Sequence, residues 1–589
     1  MRIPNRKLEG FVREIVDDCV NSQNDRINRG AFYENYALTG SDRPDTPAMY
    51  NKTYAYIDDL ESLLYSPIGL RFRINDPDLP NLLTEAKGKS VASRLHNLAR
   101  QSDTDTTISE AVFWSLVKGK TLLKQNWKRG GFDPALVQPE NMGVMHENHT
   151  KLDENMEAFC HSMLITPYQF ERMIHLNPDR EELRRKAKRY ATQAKNGLSP
   201  GDGANKQVIT GGLYPFQAAG SPRPTTSRGI VDWMGGPNPN MSAKVVQNFL
   251  RLDEVWIWDD DRDGWATFQL IGDDMLIWGK HFVANAMAWN PVSLQEIPDL
   301  KAKHPFTEVC PNRLKDYFWG RSEIVNIALL QEAINSRING INKMLRMQED
   351  PPKYFKGSSG VNQVALSRFN KPGGYWTDSS PAADMKPIET KIDQSLWASL
   401  HEYERMFDEM GGLPPIAKGH GEAGVRSQGH AETLVRMFSP RFKDRALLVE
   451  RNVEELGSLM LDLARVHDDK RLIAWVPEAA AGMEGVAHNP LIIPPAEGLV
   501  AVPFAVHDLE KDVTLRVDAH SSSPAFAAEA KSLVFDLLKI GAMGPEDVVE
   551  RVDIADPGEL EMGILRRRIE ASKAHQEEAR LKLVAKSGK

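Results

Sequence analysis

Ile324, Ile327, Leu330, Ile334, Ile338, Ile341 and Leu345 recur at three- and four-residue steps between Arg321 and Gln348, the strongest periodicity in the chain. That spacing predicts one amphipathic helix roughly 42 Å long at 1.5 Å per residue. Asp350-Pro351-Pro352 ends it, because proline lacks an amide hydrogen and disfavours helical backbone in the residue before it. A second helix is expected over about Ile392 to Met410, with Ile392, Leu396, Tyr403, Phe407 and Met410 on one face and Gly411-Gly412 as its stop. Two helices on a long stalk cannot bury all their apolar surface on each other. Neighbouring copies can supply the missing cover.

The rest of the chain reads as helices with small β hairpins, an α+β organisation. The stretch up to about Arg129 is helical in pattern, with Phe11, Ile15 and Cys19/Val20 and then Tyr54, Ile57, Leu60, Leu63 and Leu64 at helical spacing. A helix from Ser109 stops at Gly119. Thr121 to Trp127 then pairs with Ala135 to Gln138 around Arg129-Gly130-Gly131. Leu252 to Ile277 is the clearest hairpin, turning at Asp259 to Gly264. Glu181 to Lys195 is a basic helix read as a solvated face. Nine Gly and six Pro between Asn196 and Ser242 make that stretch a long loop or insertion. After the second long helix comes a loop, Leu413 to Gly429, holding Lys418, His420 and Arg426. A third long helix, about Ala431 to His467, is broken by Pro440. Short strands and Pro-rich loops fill Arg471 to Val517, and a helical tail begins at Ser523.

Composition excludes several functions. The 589 residues carry 73 Lys plus Arg against 81 Asp plus Glu, a formal charge of −8. A protein that coats nucleic acid by neutralising phosphates should be basic, so that role is disfavoured. The longest apolar run, Leu499 to Val506, is far short of a membrane span and contains Pro503. No secretory signal follows Met1 to Glu9. Three widely spaced cysteines, Cys19, Cys160 and Cys310, suit a reducing compartment without disulfides.

No motif makes a convincing catalytic centre. Gly119-Lys120-Thr121 resembles the end of a phosphate loop, but Trp114 stands where that loop needs its first glycine, and a strand follows instead of a helix. Asp259, Asp261, Asp263 and Gly264 match half of a calcium loop, but Leu270 replaces the bidentate glutamate, and turn geometry alone explains them. His146 and His149 are one residue too close for the zincin spacing, with Cys160 and His161 as loose further ligands. No Gly-x-Ser-x-Gly elbow occurs. The expectation is a chain that is not an enzyme and uses neither cofactor nor metal. The alternative is a cytoplasmic metal-dependent hydrolase built on His146, His149 and the Asp259/Asp261/Asp263 cluster.

The order of elements carries more. Lys118-Gly119-Lys120-Thr121-Leu122-Leu123 to Val137-Gln138-Pro139-Glu140-Asn141 forms one signal, and Gly320-Arg321-Ser322-Glu323-Ile324 with Gln331 and Asn335, ending at Asp350-Pro351, another. Gly411-Gly412-Leu413-Pro414-Pro415 with Gly419 follows, then Asp512 to Val517 with Ser521 to Pro524. This succession resembles the portal, or head-to-tail connector, family of tailed bacteriophages over roughly Ser109 to Asp553, with the 196–242 insertion outside it.

The resemblance implies a portal-like fold: an N-terminal wing region over 1–319, stem helices at 320–350 and 391–411, and a clip at 351–390. A tunnel loop at 412–430, a wing helix and β segment at 431–522 and a helical crown or tail at 523–589 complete it. It implies a cyclic ring, by resemblance a dodecamer, at one capsid vertex of the virion, assembled in the host cytoplasm. Double-stranded DNA would pass through during packaging and ejection. The terminase large subunit, a tail adaptor, and the major capsid and scaffolding proteins would be its partners, with no membrane. Ile334, Ile338 and Ile341 would pack between subunits, and Lys418, His420 and Arg426 would line the channel.

Overall fold

The computed structural model describes, in the main, residues 8–42, 47–65, 72–75, 82–165, 250–276, 303–351, 394–412, 440–477, 499–509 and 514–517, with isolated gaps inside these ranges and short pieces between them. The 196–242 insertion, the loop bearing Lys418, His420 and Arg426, and nearly all of the tail from Ser523 lie outside the described residues.

In chain order the N-terminal elements are α1 (Leu8–Asn21), α2 (Gln23–Thr39), α3 (Lys52–Leu64), β1 (Phe72–Asn75), α4 (Leu82–Gln101) and α5 (Thr104–Lys118). The strands β2 (Thr121–Lys128), β3 (Gly131–Val137), β4 (Met142–Val144), β5 (Ala158–Ile165), β6 (Leu250–Asp259), β7 (Gly264–Ile271), β8 (Asp274–Leu276) and β9 (Phe306–Val309) follow. Then come α6 (Ile324–Glu349), β10 (Lys353–Lys356), β11 (Tyr375–Asp378), β12 (Met385–Pro387) and α7 (Gln394–Gly411). Last are α8 (Pro440–His467), β13 (Arg471–Pro477), β14 (Leu499–Ala505) and β15 (Thr514–Val517). The chain is thus α+β with small, mainly antiparallel sheets. Among the described residues no helix is long and apolar enough to cross a membrane.

Two compact units form. The larger holds residues 1–30, 60–321 and 426–589; the smaller holds 31–59 and 322–425.

The larger unit is organised by a five-stranded antiparallel sheet ordered β4-β5-β6-β7-β8. Alternate residues of a strand face opposite sides, and both sides of this sheet are covered. Cys160, Val255, Ile257, Ala266 and Phe268 pack under Val12, Ile15, Val16 and Cys19 of α1. Phe159, Trp256 and Trp265 pack with Leu122, Val137, Phe306, Phe318 and Trp319 on the other side. That double burial explains why Val255 to Trp258 reads as four consecutive apolar residues instead of an apolar-polar alternation. Gly143 is required where α1 closes on the sheet, because a Cβ there would lie 2.5 Å from the Cys19 carbonyl oxygen.

A second sheet, β9-β2-β3, contains the first expected hairpin. The expected helix from Ser109 starts earlier, at Thr104, after Asp103 in left-handed backbone. It ends at Gly119, whose φ of 98° and 2.6 Å approach of a built Cβ to the Trp319 carbonyl oxygen both exclude a side chain. The Pro440 break is the first residue of α8 itself, a position where the missing amide hydrogen costs nothing. The Asp512–Val517 segment forms β15, whose antiparallel partner is β1 near the N-terminus.

Three lysines at this hairpin are buried and paired. Lys118 meets Glu140 at 2.8 Å, Lys120 meets Glu308 at 2.7 Å, and Lys124 meets Glu254. Removing one member of such a pair leaves a desolvated charge, so each fixes local geometry more than it adds net stability.

The smaller unit is a helical hairpin with a strap. Helices α6 and α7 run antiparallel and pack together; between them β10 pairs parallel with β11 and antiparallel with β12, a three-stranded sheet. Residues 31–59, the end of α2 and the start of α3, complete the unit. They were expected in the 1–319 region, but they bind the two long helices.

Candidate assembly face

The sequence motifs with chemical overtones find structural roles. Lys120 is 1% exposed; its amine donates to Glu308 and to the Thr150 carbonyl at 2.8 Å, and sits 3.6 Å from the centre of the Phe318 ring. Glu308 also accepts from the Leu152 amide. An amine so engaged is unavailable to a phosphate. Asp259 accepts from the Asp261 amide at 3.1 Å, and Asp263 takes a left-handed φ of 50° before Gly264. These residues shape the β6–β7 turn.

The His146 and His149 rings are 5.9 Å apart, and His146 Nε2 is 3.4 Å from a Glu157 carboxylate oxygen. Cys160 and His161 do not join them, because adjacent strand residues face opposite sides. Cys160 packs under α1, whereas His161 meets Phe306 with ring centres 5.5 Å apart. Among the described residues no group of three or more His, Cys, Asp or Glu is arranged to hold a metal ion. Burial, reinforced by the Lys124 ammonium and opposed by Glu254, pushes His161 down to about 3. Burial also lowers His304, and it pushes the Cys310 thiol up to about 11. All three cysteines are free and buried.

The smaller unit has a denser polar design. Gln331 of α6 is fully buried. Its carbonyl oxygen accepts from the amides of Lys52 and Thr53, both at 3.1 Å, and from the Thr53 hydroxyl at 3.2 Å. Its amide nitrogen donates to the Tyr50 carbonyl at 2.8 Å and to Asn335 at 2.9 Å. Asn51 accepts from the Tyr54 amide at 3.0 Å. The first three orphan amides of α3 are therefore capped, two of them by a side chain from a helix some 280 residues away in sequence.

Asn335 continues the lock, donating to the Gly40 carbonyl at 2.6 Å. On α7, Lys52 meets Asp408 at 2.9 Å and the Glu404 carbonyl at 3.1 Å. Tyr56 donates its hydroxyl toward Glu323 at 3.4 Å and the Gly411 carbonyl at 3.1 Å. Gly411 has no room for more, since a Cβ would lie 2.7 Å from the Tyr56 ring. Gly412, at φ 71°, is the left-handed stop that the Gly pair predicted. Tyr36, close to Glu332, is raised to about 12, by burial first and then by Glu332 and Asp42.

Ile334 and Ile341 are 0% and 3% exposed within one chain, so the premise that only a neighbour could cover them is corrected. Ile338 is partly buried. The uncovered apolar surface lies elsewhere on the same unit. Phe32, Met49, Tyr50 and Tyr54 on the strap, Val325, Leu329 and Leu345 on α6, and Trp397, Met406 and Met410 on α7 are exposed. Among the described residues only Leu314, Leu447 and Leu538 are comparably exposed in the larger unit. Periodicity marked the stripe that α6 buries inside its own unit; it did not distinguish the second, exposed stripe.

No family model matches the sequence, and no curated protein matches it. Among solved structures, the chain is similar to a chain from the virion of a native gene transfer agent particle, at 10% identity and a TM-score of 0.35, covering 88% of this chain and 91% of that one. It is also similar to a chain from the neck of a native gene transfer agent particle determined with C12 symmetry, at 10% identity and a TM-score of 0.32, covering 84% and 88%.

Proposed function

We propose that this chain is a portal protein, a subunit of a ring-shaped channel at one capsid vertex through which double-stranded DNA is packaged and ejected. The observation that carries the reading is the placement of exposed apolar surface. Ten of the thirteen exposed large apolar side chains among the described residues sit on the helical hairpin and its strap. Isolated exposed apolar residues are ordinary, but a concentration on one small unit marks an interaction surface. A rod of two long helices that leaves such surface uncovered is suited to lateral packing with copies of itself.

In this reading α6 and α7 are the stem, and the β10–β12 sheet between them is the clip that meets the terminase and later a tail adaptor. The loop with Lys418, His420 and Arg426 faces the channel and presents one set of cations per subunit to passing phosphates. The acidic balance suits a conduit, since many phosphate contacts would grip DNA that must slide. No chemistry is assigned to the chain; the motor activity belongs to the partner that docks on it.

Negative-stain images of the purified full-length protein test the proposal. Rings with an axial hole, of one dominant subunit number, are expected. Monomers or small compact oligomers at micromolar concentration would refute it.

A further inference from the structure

We infer that Arg313 is an anchor for a carboxylate side chain of a partner protein, held in position for it by Asn452. The inference goes beyond the portal reading and does not depend on it. Arg313 lies near the start of a loop in the larger unit that the core fixes at several points. The Arg321 amide donates to the Asn312 carbonyl at 3.0 Å, which closes the loop on itself. The Phe318 amide donates to the Glu147 carbonyl at 2.9 Å, and the Trp319 indole to the Glu147 carboxylate at 3.0 Å. The backbone that carries Arg313 is therefore set. Its half-buried side chain reaches α8, where Nη2 donates to Asn452 Oδ1 at 3.2 Å.

What this arginine lacks is an anion. Buried charges are normally paired. In the same unit Arg94 meets Asp468 at 2.8 Å, Arg184 meets Glu171 at 3.1 Å and Arg465 meets Asp462 at 3.7 Å. Among the described residues no carboxylate meets Arg313. Its Nε and the Asn452 Nδ2 are buried without a hydrogen-bond partner. Asn452 itself is 1% exposed in the interior of α8, where asparagine is a poor helix former. Helix propensity does not account for it, but its bond to the guanidinium does. With the Asn452 carbonyl turned to Arg313, both unanswered groups are donors. Only an acceptor completes the cluster, and a negatively charged one also neutralises the guanidinium.

The surroundings favour a carboxylate on a protein over a phosphate on a nucleic acid. Backbone binding adds affinity through several phosphate contacts, whereas here one fixed guanidinium is followed by Lys315 and Asp316, whose charges offset. The next residue, Leu314, is 39% exposed, one of three large apolar side chains so exposed among the described residues of the larger unit. A bridge between Leu314 and Tyr317, with Asp316 at a left-handed φ of 56°, holds it in a tight turn. An oriented arginine beside an apolar side chain on a fixed turn has the composition of a protein–protein contact. The occupant is therefore a protein segment that presents an Asp or Glu next to an apolar residue.

Arginine modification by phenylglyoxal in the full-length protein, followed at each site by mass spectrometry, tests the inference. The probe is the blocked tripeptide acetyl-Leu-Glu-Leu-amide at millimolar concentration and constant ionic strength. It should slow modification of Arg313 several-fold and leave that of the exposed Arg451 unchanged. Acetyl-Leu-Gln-Leu-amide and a short DNA duplex should leave both unchanged. Equal protection by the Gln peptide would show an apolar contact only, and equal protection by the duplex a phosphate site; either overturns the inference. So does an Arg313 that the reagent never reaches, with or without peptide. Asn452→Asp supplies the missing carboxylate from within the chain. It should raise the melting temperature and abolish protection by the Glu peptide, because the seat is then filled. A variant no more stable than the parent, or one still protected by the peptide, would overturn the inference.

Discussion

Gln331→Ala removes the side chain that joins the strap to the hairpin, and the structure allows its cost to be worked out. Two helix-start amides and a hydroxyl lose their acceptor, and the Tyr50 carbonyl and Asn335 lose a donor. Loss of a helix cap costs about 1 kcal/mol. Each buried polar group left without a partner adds about 1–3 kcal/mol, less wherever water enters the small cavity. A loss of about 3 kcal/mol follows as a conservative figure, on the order of a 100-fold change in the local opening equilibrium. Global unfolding is a poor assay here, because opening of the strap is a local event that a whole-chain transition need not report. Hydrogen exchange of the Lys52 and Thr53 amides reads the lock directly, and both should exchange on the order of 100-fold faster in the variant. Gln331→Glu offers a control. It retains the acceptor near a helix N-terminus but loses both donated bonds and buries a charge, so it should not restore protection. Unchanged exchange in Gln331→Ala would refute the claim that this residue holds the strap.

Two further predictions follow from the larger unit. His161 is depressed to about 3 in the folded chain against an ordinary value of 6.5, so between those values the unfolded chain binds a proton that the folded chain does not. Its contribution is therefore present in full above pH 6.5 and is lost on acidification, by about 1.4 kcal/mol per pH unit well below that point. Urea unfolding at several pH values should show a shallower acid loss for His161→Leu, and parallel curves for variant and parent would contradict this. Lys120→Met should destabilise by about 3–5 kcal/mol, because it strands the buried Glu308 carboxylate. Lys120→Met/Glu308→Gln should cost less than the single change, and a single change costing under about 1 kcal/mol would show that the pair is not buried in solution.

Local signals located the elements well. The stripe from Ile324 to Leu345 marked α6, whose observed bounds of Ile324–Glu349 differ by a few residues from the expected Arg321–Gln348. The helix expected over Ile392 to Met410 is Gln394–Gly411. Proline and glycine set these ends by rules that act within one turn, so they are visible in a short window. Strand partners were less legible. β1 pairs with β15 over more than 400 residues of sequence, and nothing in Phe72-Arg73-Ile74-Asn75 names Thr514 to Val517 as its neighbour. The site followed the same division. Gln331 and Asn335 stood out by sequence resemblance, but their bonds to Tyr50, Lys52, Thr53 and Gly40 arise only when the chain returns on itself.

That return has a physical consequence. The strap precedes the hairpin by roughly 280 residues, and closing so long a loop costs about 5 kcal/mol of chain entropy by the logarithmic rule. The five-stranded sheet and the one of its two cores that holds Phe159, Trp256 and Phe306 lie within the intervening sequence. Their folding shortens the effective loop before the strap docks, because compact segments no longer count as free chain. Local pairing is expected to precede such distant contacts, so α6 and α7 form first and the strap locks them afterwards. Until it does, Phe407, the buried face of Gln331 and the Gly411 notch remain open, and the hairpin lacks its fixed lateral shape. The exposed apolar surface of the unit is then set only after the N-terminal segment has engaged. Order of folding is in this way written into the chain's connectivity: the two long helices pair first, and the N-terminal strap then fixes the shape of the unit they form.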